Sequence, residues 1–274
     1  MVDIIITVMS IAAAYFYTDF CSGYGNGSVW VAVLVFAIAY IVFYVGAALL
    51  FWIFCIIVSL TVNKKKEYKH CSRFFGILFG LMCEYAVYLS GGRVHVKGKE
   101  LIPKNEKFLF VSNHRSKYDT IVQVGELKRH QIAFISKPSN FKIPVGSRYM
   151  RRCRYLCLDR EDLRSGTLVT RTAASMISSG ESSIGVYPEG TRNKELKDKL
   201  LEFKPGCFKT ALWAKCPIVV SVIRGTELIH KRFPLRRSKI IFEIVEVIPY
   251  DTIKDMKTQE ISNLVESIML KRLP

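Results

Sequence analysis

Lys107–Lys128 reads KFLFVSNHRSKYDTIVQVGELK, and this stretch decides the fold class. KFLFV is a short apolar run with aromatics, as a buried strand requires, and Thr120–Lys128 is patterned as a helix. The polar residues Ser112–Asp119 between them form a turn and a helix start. The same grammar extends both ways. Arg93–Gly98 (RVHVKG) alternates as a strand, and Ile132–Ser136 (IAFIS) is another. Leu163–Ser178 carries Leu163, Val169, Ala173, Met176 and Ile177 at helical spacing, and Ser183–Tyr187 (SIGVY) reads as a buried strand. Gly206–Lys215 reads as a helix, Pro217–Ile223 (PIVVSVI) as a continuous apolar strand, and Lys239–Ile248 as a further strand. Thr258–Leu270 closes the chain with Ile261, Leu264, Val265, Ile268 and Met269 on one helical face. Strands alternating with helices specify an α/β fold, a sheet with helices packed on it.

The N-terminal quarter is of another kind. The 274-residue chain carries 40 Lys and Arg against 23 Asp and Glu, a formal +17, yet residues 1–62 contain no basic residue and only Asp3 and Asp19 as acids. All 40 basic residues and 21 of the acids lie in residues 63–274, which are therefore net +19. Val29–Val62 is uncharged throughout, longer than the roughly 20 apolar residues that a membrane-spanning helix needs. Residues 1–18 form a shorter apolar run without the positive n-region of a signal peptide. It is read as a second span, with an interfacial helix as the alternative. Asp19–Ser28 (DFCSGYGNGS) serves as the hairpin turn, and the triplet Asn26-Gly27-Ser28 as turn chemistry rather than a glycan site. Lys64, Lys65, Lys66, Lys69, His70 and Arg73 follow the span, so the positive-inside rule places the basic body in the cytoplasm. Phe74–Leu89 is apolar with Glu84 interrupting; it is expected to lie on the inner leaflet, against the alternative of a helix buried in the body. The expected organisation is an anchor over 1–62, a basic segment and interfacial helix over 63–91, and a cytoplasmic α/β domain over 92–274.

Composition removes other classes. Half of the residues are hydrophobic, which excludes a disordered chain. Eight cysteines are few for a disulfide-stapled fold and show no zinc-ligand spacing, so no metal site is expected. No zinc finger, helix-turn-helix or stacking motif supports nucleic acid as a partner. Walker, HExxH and G-x-S-x-G signatures are absent.

Two segments that directly follow predicted strands carry the candidate chemistry: Ser112–Asp119, and Tyr187-Pro188-Glu189-Gly190-Thr191-Arg192. In open α/β sheets, sites form where strands end. His114 and Asp119 on one helix would be about 140° apart, so they meet only if His114 sits in the turn and Asp119 in the first helical turn. An imidazole held by a carboxylate is placed to take a proton from a hydroxyl. The rival reading is a capping box, Ser116-x-x-Asp119, with Asp119 serving the helix alone. In the second segment Gly190 permits close backbone approach, Thr191 offers a hydroxyl and Arg192 can grip a phosphate; ordinary turn chemistry is the alternative.

Together the segments resemble the 1-acyl-glycerol-3-phosphate (lysophosphatidic acid) acyltransferase family, from about Gly92 to Glu227. Asn113-His114 with Asp119 looks like its N-H-x4-D block. Lys137, Phe141-Lys142-Ile143-Pro144-x-Gly146 and Leu158-Asp159-Arg160 are similar to its second block, and Pro188–Arg192 to its third. Phe203-Lys204-x-Gly206, Pro217–Val220 and Ile223–Thr226 resemble the family's pattern beyond the third block, its fourth block included. Ser221 stands where proline is usual, and Cys153 falls near a usual glycine.

The resemblance implies a mixed sheet flanked by helices, of the glycerolipid acyltransferase type, behind N-terminal membrane helices. It implies transfer of a fatty acyl group from a thioester to the sn-2 hydroxyl of lysophosphatidic acid. His114 would be the general base, oriented by Asp119, and Glu189, Gly190, Thr191 and Arg192 would hold the acceptor's phosphate, aided by Lys137 and Arg160. Acyl-CoA or acyl-carrier protein would be the donor substrate, with no cofactor, and membrane lipids would be partners. Glycerol 3-phosphate or another lysophospholipid is the alternative acceptor, and a non-catalytic protein binding anionic lipid is the alternative class.

Overall fold

The uncharged head folds as two helices, α1 (Val2–Ser22) and α2 (Val29–Leu60). The structure, a computed structural model, describes residues 1–22, 29–159, 162–193 and 200–273, and it divides the chain into units Met1–Thr61 and Val62–Pro274. Val2, Ile6, Ser10 and Ala14 recur every four residues and form the buried stripe of α1. Small side chains there, with Ala39 of α2, allow close helix approach. The Tyr44 hydroxyl donates to Asp3 Oδ1 at 2.8 Å, which gives the first acid of the head a partner. Both helices are long and apolar enough to cross a membrane. The 32 residues of α2 would reach about 48 Å, beyond a hydrocarbon core of about 30 Å. The predicted turn begins later than expected, because Asp19–Ser22 continue α1. Asn26-Gly27-Ser28 lies outside the described residues.

In the second unit, α3 (Arg73–Leu89) is not simply a surface helix. Leu78, Met82, Cys83, Tyr85 and Val87 are buried, and α3 packs on α4 (Tyr118–Glu126). A Cβ on Gly80 would lie 2.2 Å from Lys128 Cβ, so only glycine permits this crossing. Lys128 Nζ donates to Glu84 Oε2 at 2.8 Å. The charge that interrupts the apolar run is thus met at the α3–α4 contact, a pairing between distant segments that the spacing within α3 does not reveal. Phe74, Tyr88 and Leu89 stay exposed.

Among its described residues the second unit also contains seven strands: β1 (Gly92–Lys97), β2 (Leu109–Ser112), β3 (Ile132–Ser136), β4 (Leu156–Cys157), β5 (Ser183–Val186), β6 (Ile218–Arg224) and β7 (Ser238–Ile248). Their order across the sheet is β1-β7-β6-β2-β5-β3-β4. From β6 to β4 the strands are parallel, β7 is antiparallel to β6, and β1 is parallel to β7. The sheet is mixed and flanked by helices, among them α5 (Gly146–Arg152), α6 (Leu163–Ser178), α7 (Lys209–Ala214) and α10 (Thr258–Leu270), with the one-turn helices α8 (Ile229–Arg232) and α9 (Tyr250–Ile253). Central strands β2 and β5 are buried at every residue, as expected of parallel strands covered on both faces.

Register sets the site. Val111 of β2 lies opposite Val186 of β5 and Val220 of β6, so β2 and β5 end almost level at one edge, while β6 runs on to Arg224 beyond Ser221, the partner of Ser112. Ser221 is at a register shift between β6 and β7, and its hydroxyl donates to the Val111 carbonyl at 3.1 Å. The shift leaves Val245 of β7 without a partner on β6, and serine at 221 adds a side-chain link to β2. Cys153 caps α5, with its sulfur 3.9 Å from where a Cβ on Gly76 would stand.

Candidate active site

Chain directions in the sheet carry both predicted segments to the same edge. β2 ends at Ser112, and Asn113 clamps that end: its Nδ2 donates to the Ile223 carbonyl at 3.0 Å and its Oδ1 accepts the Ile223 N–H at 2.8 Å. His114 then occupies the turn, and α4 starts at Tyr118 with Asp119 in its first turn. This is the arrangement the five-residue spacing demanded.

Asp119 is fully buried and meets four donors. Its Oδ2 lies 2.8 Å from His114 Nδ1 and accepts the N–H groups of Arg115 at 2.6 Å and Ser116 at 2.7 Å. Its Oδ1 accepts the Thr226 hydroxyl. An ionised carboxylate only accepts, so Nδ1 carries the proton and Nε2 is left with its lone pair. The His114 side chain is 18% exposed, open enough to meet a substrate.

The capping alternative is realised by the same carboxylate. Asp119 reaches back to the Ser116 N–H as the third residue of a capping box would, and Ser116 Oγ accepts the Tyr118 N–H at 3.2 Å. The two readings are not exclusive.

The second segment docks against the first. Glu189 is buried; its Oε1 accepts the His114 N–H at 2.6 Å and its Oε2 accepts the Leu201 N–H at 3.1 Å. Burial raises its carboxyl above the ordinary range, and the two N–H groups partly offset this. Both oxygens are engaged with the backbone, and a carboxylate repels an anion. The expectation that Glu189 holds phosphate is therefore corrected: it fastens the two segments together. Gly190 takes φ +67°, and its N–H donates to the Tyr187 carbonyl at 2.9 Å, closing the turn. The Asn193 N–H donates to the His114 carbonyl at 2.8 Å, which holds the chain just beyond Thr191 and Arg192 beside the histidine. Thr191 is exposed and Arg192 half-buried. Lys137 is exposed and follows β3, two strands from β2 on the same edge. Arg160 lies outside the described residues.

Four residues with a place here, Tyr187, Gln123, Thr226 and Lys204, were given no role from the sequence. Tyr187 stacks on the His114 ring, centroids 4.1 Å apart and planes at 17°. Its hydroxyl donates to Gln123 Oε1 at 2.6 Å and lies 2.9 Å from Thr120 Oγ1, while Gln123 Nε2 donates to Ser112 Oγ at 2.7 Å. Thr226 fixes Asp119. Lys204 donates its N–H to the Pro188 carbonyl at 2.8 Å, and its Cγ is 3.7 Å from where a Cβ on Gly190 would stand, adding a cation to the turn. Tyr187, Gln123 and Thr226 share a sequence signal of position, since each lies in, or directly after, an element that reaches this edge; Lys204, on the long connection after β5, has no such signal.

An imidazole oriented by a buried acid, with Arg192 and Lys204 nearby, can deprotonate a hydroxyl borne by an anionic substrate. Comparison with known proteins agrees. A family model described as acyltransferase matches residues 93–224. The chain is 27% identical over 185 residues to a 1-acyl-sn-glycerol-3-phosphate acyltransferase of Haemophilus influenzae, covering 65% of this chain and 75% of that one. It is 25% identical over 194 residues to the alpha form of that enzyme from Ovis aries, covering 69% of this chain and 66% of that one. The crystal structure of the 1-acyl-sn-glycerophosphate acyltransferase PlsC from Thermotoga maritima is similar in fold, with a TM-score of 0.59 and 24% identity over 98% of this chain and 95% of that one.

Proposed function

We infer, from the match of residues 93–224 to the acyltransferase family model and the likeness to the named enzymes, that this protein acylates the sn-2 hydroxyl of lysophosphatidic acid, giving phosphatidic acid for phospholipid synthesis. The His114–Asp119 pair carries the reading. His114 Nε2 takes the proton of the acceptor hydroxyl while its oxygen attacks the thioester carbonyl. The tetrahedral adduct collapses with cleavage of the carbon–sulfur bond, and the imidazolium returns the proton to the departing thiolate. Asp119 holds the tautomer and offsets the transient imidazolium charge. Acyl-CoA or acyl-carrier protein supplies the thioester. A thiolate is a good leaving group, so the route calls for no cofactor or metal.

Arg192 and Lys204, on the turn built by Gly190, are the groups placed for the acceptor's phosphate, with Thr191 as a hydroxyl donor and Lys137 and Arg160 as outlying positive charge. The chemistry faces the cytoplasm: the cluster from Lys64 to Arg73 directly follows α2, and no basic residue precedes it. An amphiphilic acceptor then reaches the site from the membrane plane. The test is thiol release by detergent-solubilised protein, with acyl-CoA and acyl-carrier protein against a panel of lysophosphatidic acid, glycerol 3-phosphate and other lysophospholipids. His114→Ala should abolish release while the melting transition persists. Retained turnover in a folded His114→Ala protein would overturn the mechanism, and preference for another acceptor would overturn the substrate.

A further inference from the structure

Between β6 and β7 the chain runs through α8 into Phe233–Arg237, and residues 230–237 (HKRFPLRR) are all exposed. No acidic residue occurs from Leu228 to Phe242, while Lys231, Arg232, Arg236, Arg237 and Lys239 are all cationic. Among the described residues Lys231, Arg232, Arg236 and Arg237 make no ion pair with a carboxylate. Two large apolar side chains stand among these charges: Phe233 is 55% exposed and Leu235 92%. The segment is a closed turn, with the Phe233 N–H on the Ile229 carbonyl at 3.0 Å and the Arg236 N–H on the Arg232 carbonyl at 2.8 Å.

It also adjoins the end of α3. The Ser238 N–H donates to the Gly91 carbonyl at 2.8 Å, and a Cβ on Gly91 would lie 3.7 Å from the Arg236 carbonyl oxygen. Tyr88 and Leu89, just before this junction, are exposed as well. Water favours none of these apolar groups on the surface, and each mutually repelling cation gains from an anionic partner. An apolar tip ringed by Lys and Arg fits the headgroup boundary of an anionic bilayer, where the apolar groups enter the acyl region and the cations meet phosphates.

We propose that the 230–237 loop, with Tyr88 and Leu89, is a docking surface for anionic lipid bilayer, built into the α/β unit itself. It abuts the catalytic segment: the His230 ring lies 5.0 Å from that of Tyr118, the residue before Asp119, and the Tyr118 hydroxyl donates to Ser90 Oγ at 3.1 Å. Seating the loop therefore brings the edge that bears His114 to the lipid surface. The surface rests on exposure and charge, independently of the reaction proposed above.

The test is amide hydrogen exchange of the full chain in nanodiscs, with wholly zwitterionic lipid against lipid containing a third phosphatidylglycerol. Peptides covering 228–238 should be protected at least about twenty-fivefold more in the anionic discs, and 0.5 M salt should reverse this. Each cation contributes about a fivefold preference, so Arg236→Ala/Arg237→Ala should remove about twenty-fivefold of the protection. Leu235→Ser should reduce it at unchanged charge, and detergent-phase thiol release should stay at the parent rate in both variants. Protection that ignores lipid charge, or that survives the double variant, overturns the proposal. Protection by an acidic carrier protein in detergent, with none from anionic discs, also overturns it and assigns the loop to a protein partner.

Discussion

Asp119→Asn separates the two tasks that the geometry gives to one carboxylate. The asparagine oxygen can occupy the place of Oδ2 and keep the donors from His114, Arg115 and Ser116, while its amide faces Thr226 Oγ1, which turns to accept. Asparagine serves helix starts as well as aspartate does, so the stability lost should be only about 1 kcal/mol. What disappears is the negative charge beside the imidazolium that forms as His114 takes the proton. Unit charges about 4 Å apart at an effective dielectric of about 20 attract by about 4 kcal/mol. A half-transferred proton realises about half of that. With each ~1.4 kcal/mol worth a factor of ten, kcat should fall about 30- to 1,000-fold.

The assay is thiol release at saturating acyl thioester and lysophosphatidic acid in detergent, with a thermal melt on the same preparation. A folded variant within about threefold of the parent kcat would show that Asp119 serves only the helix start, and the acid–base reading would fall. Loss of the melting transition would refute the claim that asparagine reproduces the hydrogen bonds.

Arg192→Ala should raise the apparent KM for lysophosphatidic acid about tenfold or more, the worth of a charged hydrogen bond, with little change in kcat; an unchanged KM removes Arg192 from the phosphate site. Tyr187→Phe keeps the ring on His114 but leaves Gln123 Oε1 without its donor, so it should cost about 1–3 kcal/mol in denaturant melts with kcat within a few-fold. A collapse of kcat at intact stability would instead place the hydroxyl in the chemistry. Glu189 has its carboxyl raised by burial, so its favourable contribution is present below the unfolded pKa and is lost as pH rises through the folded one. Gln has no such dependence. The parent's stability advantage over Glu189→Gln should therefore be larger at about pH 4 than at about pH 7, and melts showing the opposite order would refute the burial argument.

The strands and helices were legible wherever the pattern was local. The strand at Ile132–Ser136 and the helices at Leu163–Ser178 and Thr258–Leu270 stand where spacing put them, because each buries one face or one short run. The segment between β3 and α6 was not legible: β4 has two residues and α5 seven, too short for a period to show, and α5 carries Arg148, Arg151 and Arg152 among its apolar residues. Phe74–Leu89 misled in part because a helix buried against another helix and one resting on lipid share the same apolar face. The decisive facts, Gly80 against Lys128 and Glu84 paired with Lys128, join segments distant in sequence. Thr226 was given no role and Glu189 the wrong one for the same reason. They meet Asp119 and His114 across 107 and 75 residues of chain, a distance closed only by the pairing of β2 with β5 and β6 in the sheet.

The spacing of His114 and Asp119 has a physical reason that neither reading of the sequence supplied alone. On a continuous helix the two side chains would diverge, so the chain must turn between them. The N–H groups of Arg115 and Ser116 in that turn point inward, where a buried donor without an acceptor costs about 1–3 kcal/mol each. Asp119 Oδ2 accepts both and faces Nδ1 of the ring as well. The acid thus folds the turn that presents the base to it, and Glu189 holds the far side through the His114 N–H. A shorter insert would put histidine and acid on one helix, and a longer one would leave turn amides without an acceptor. Four intervening residues satisfy the backbone and the dyad with the same oxygen, which is why a capping signature and a catalytic one coincide at this place in the chain.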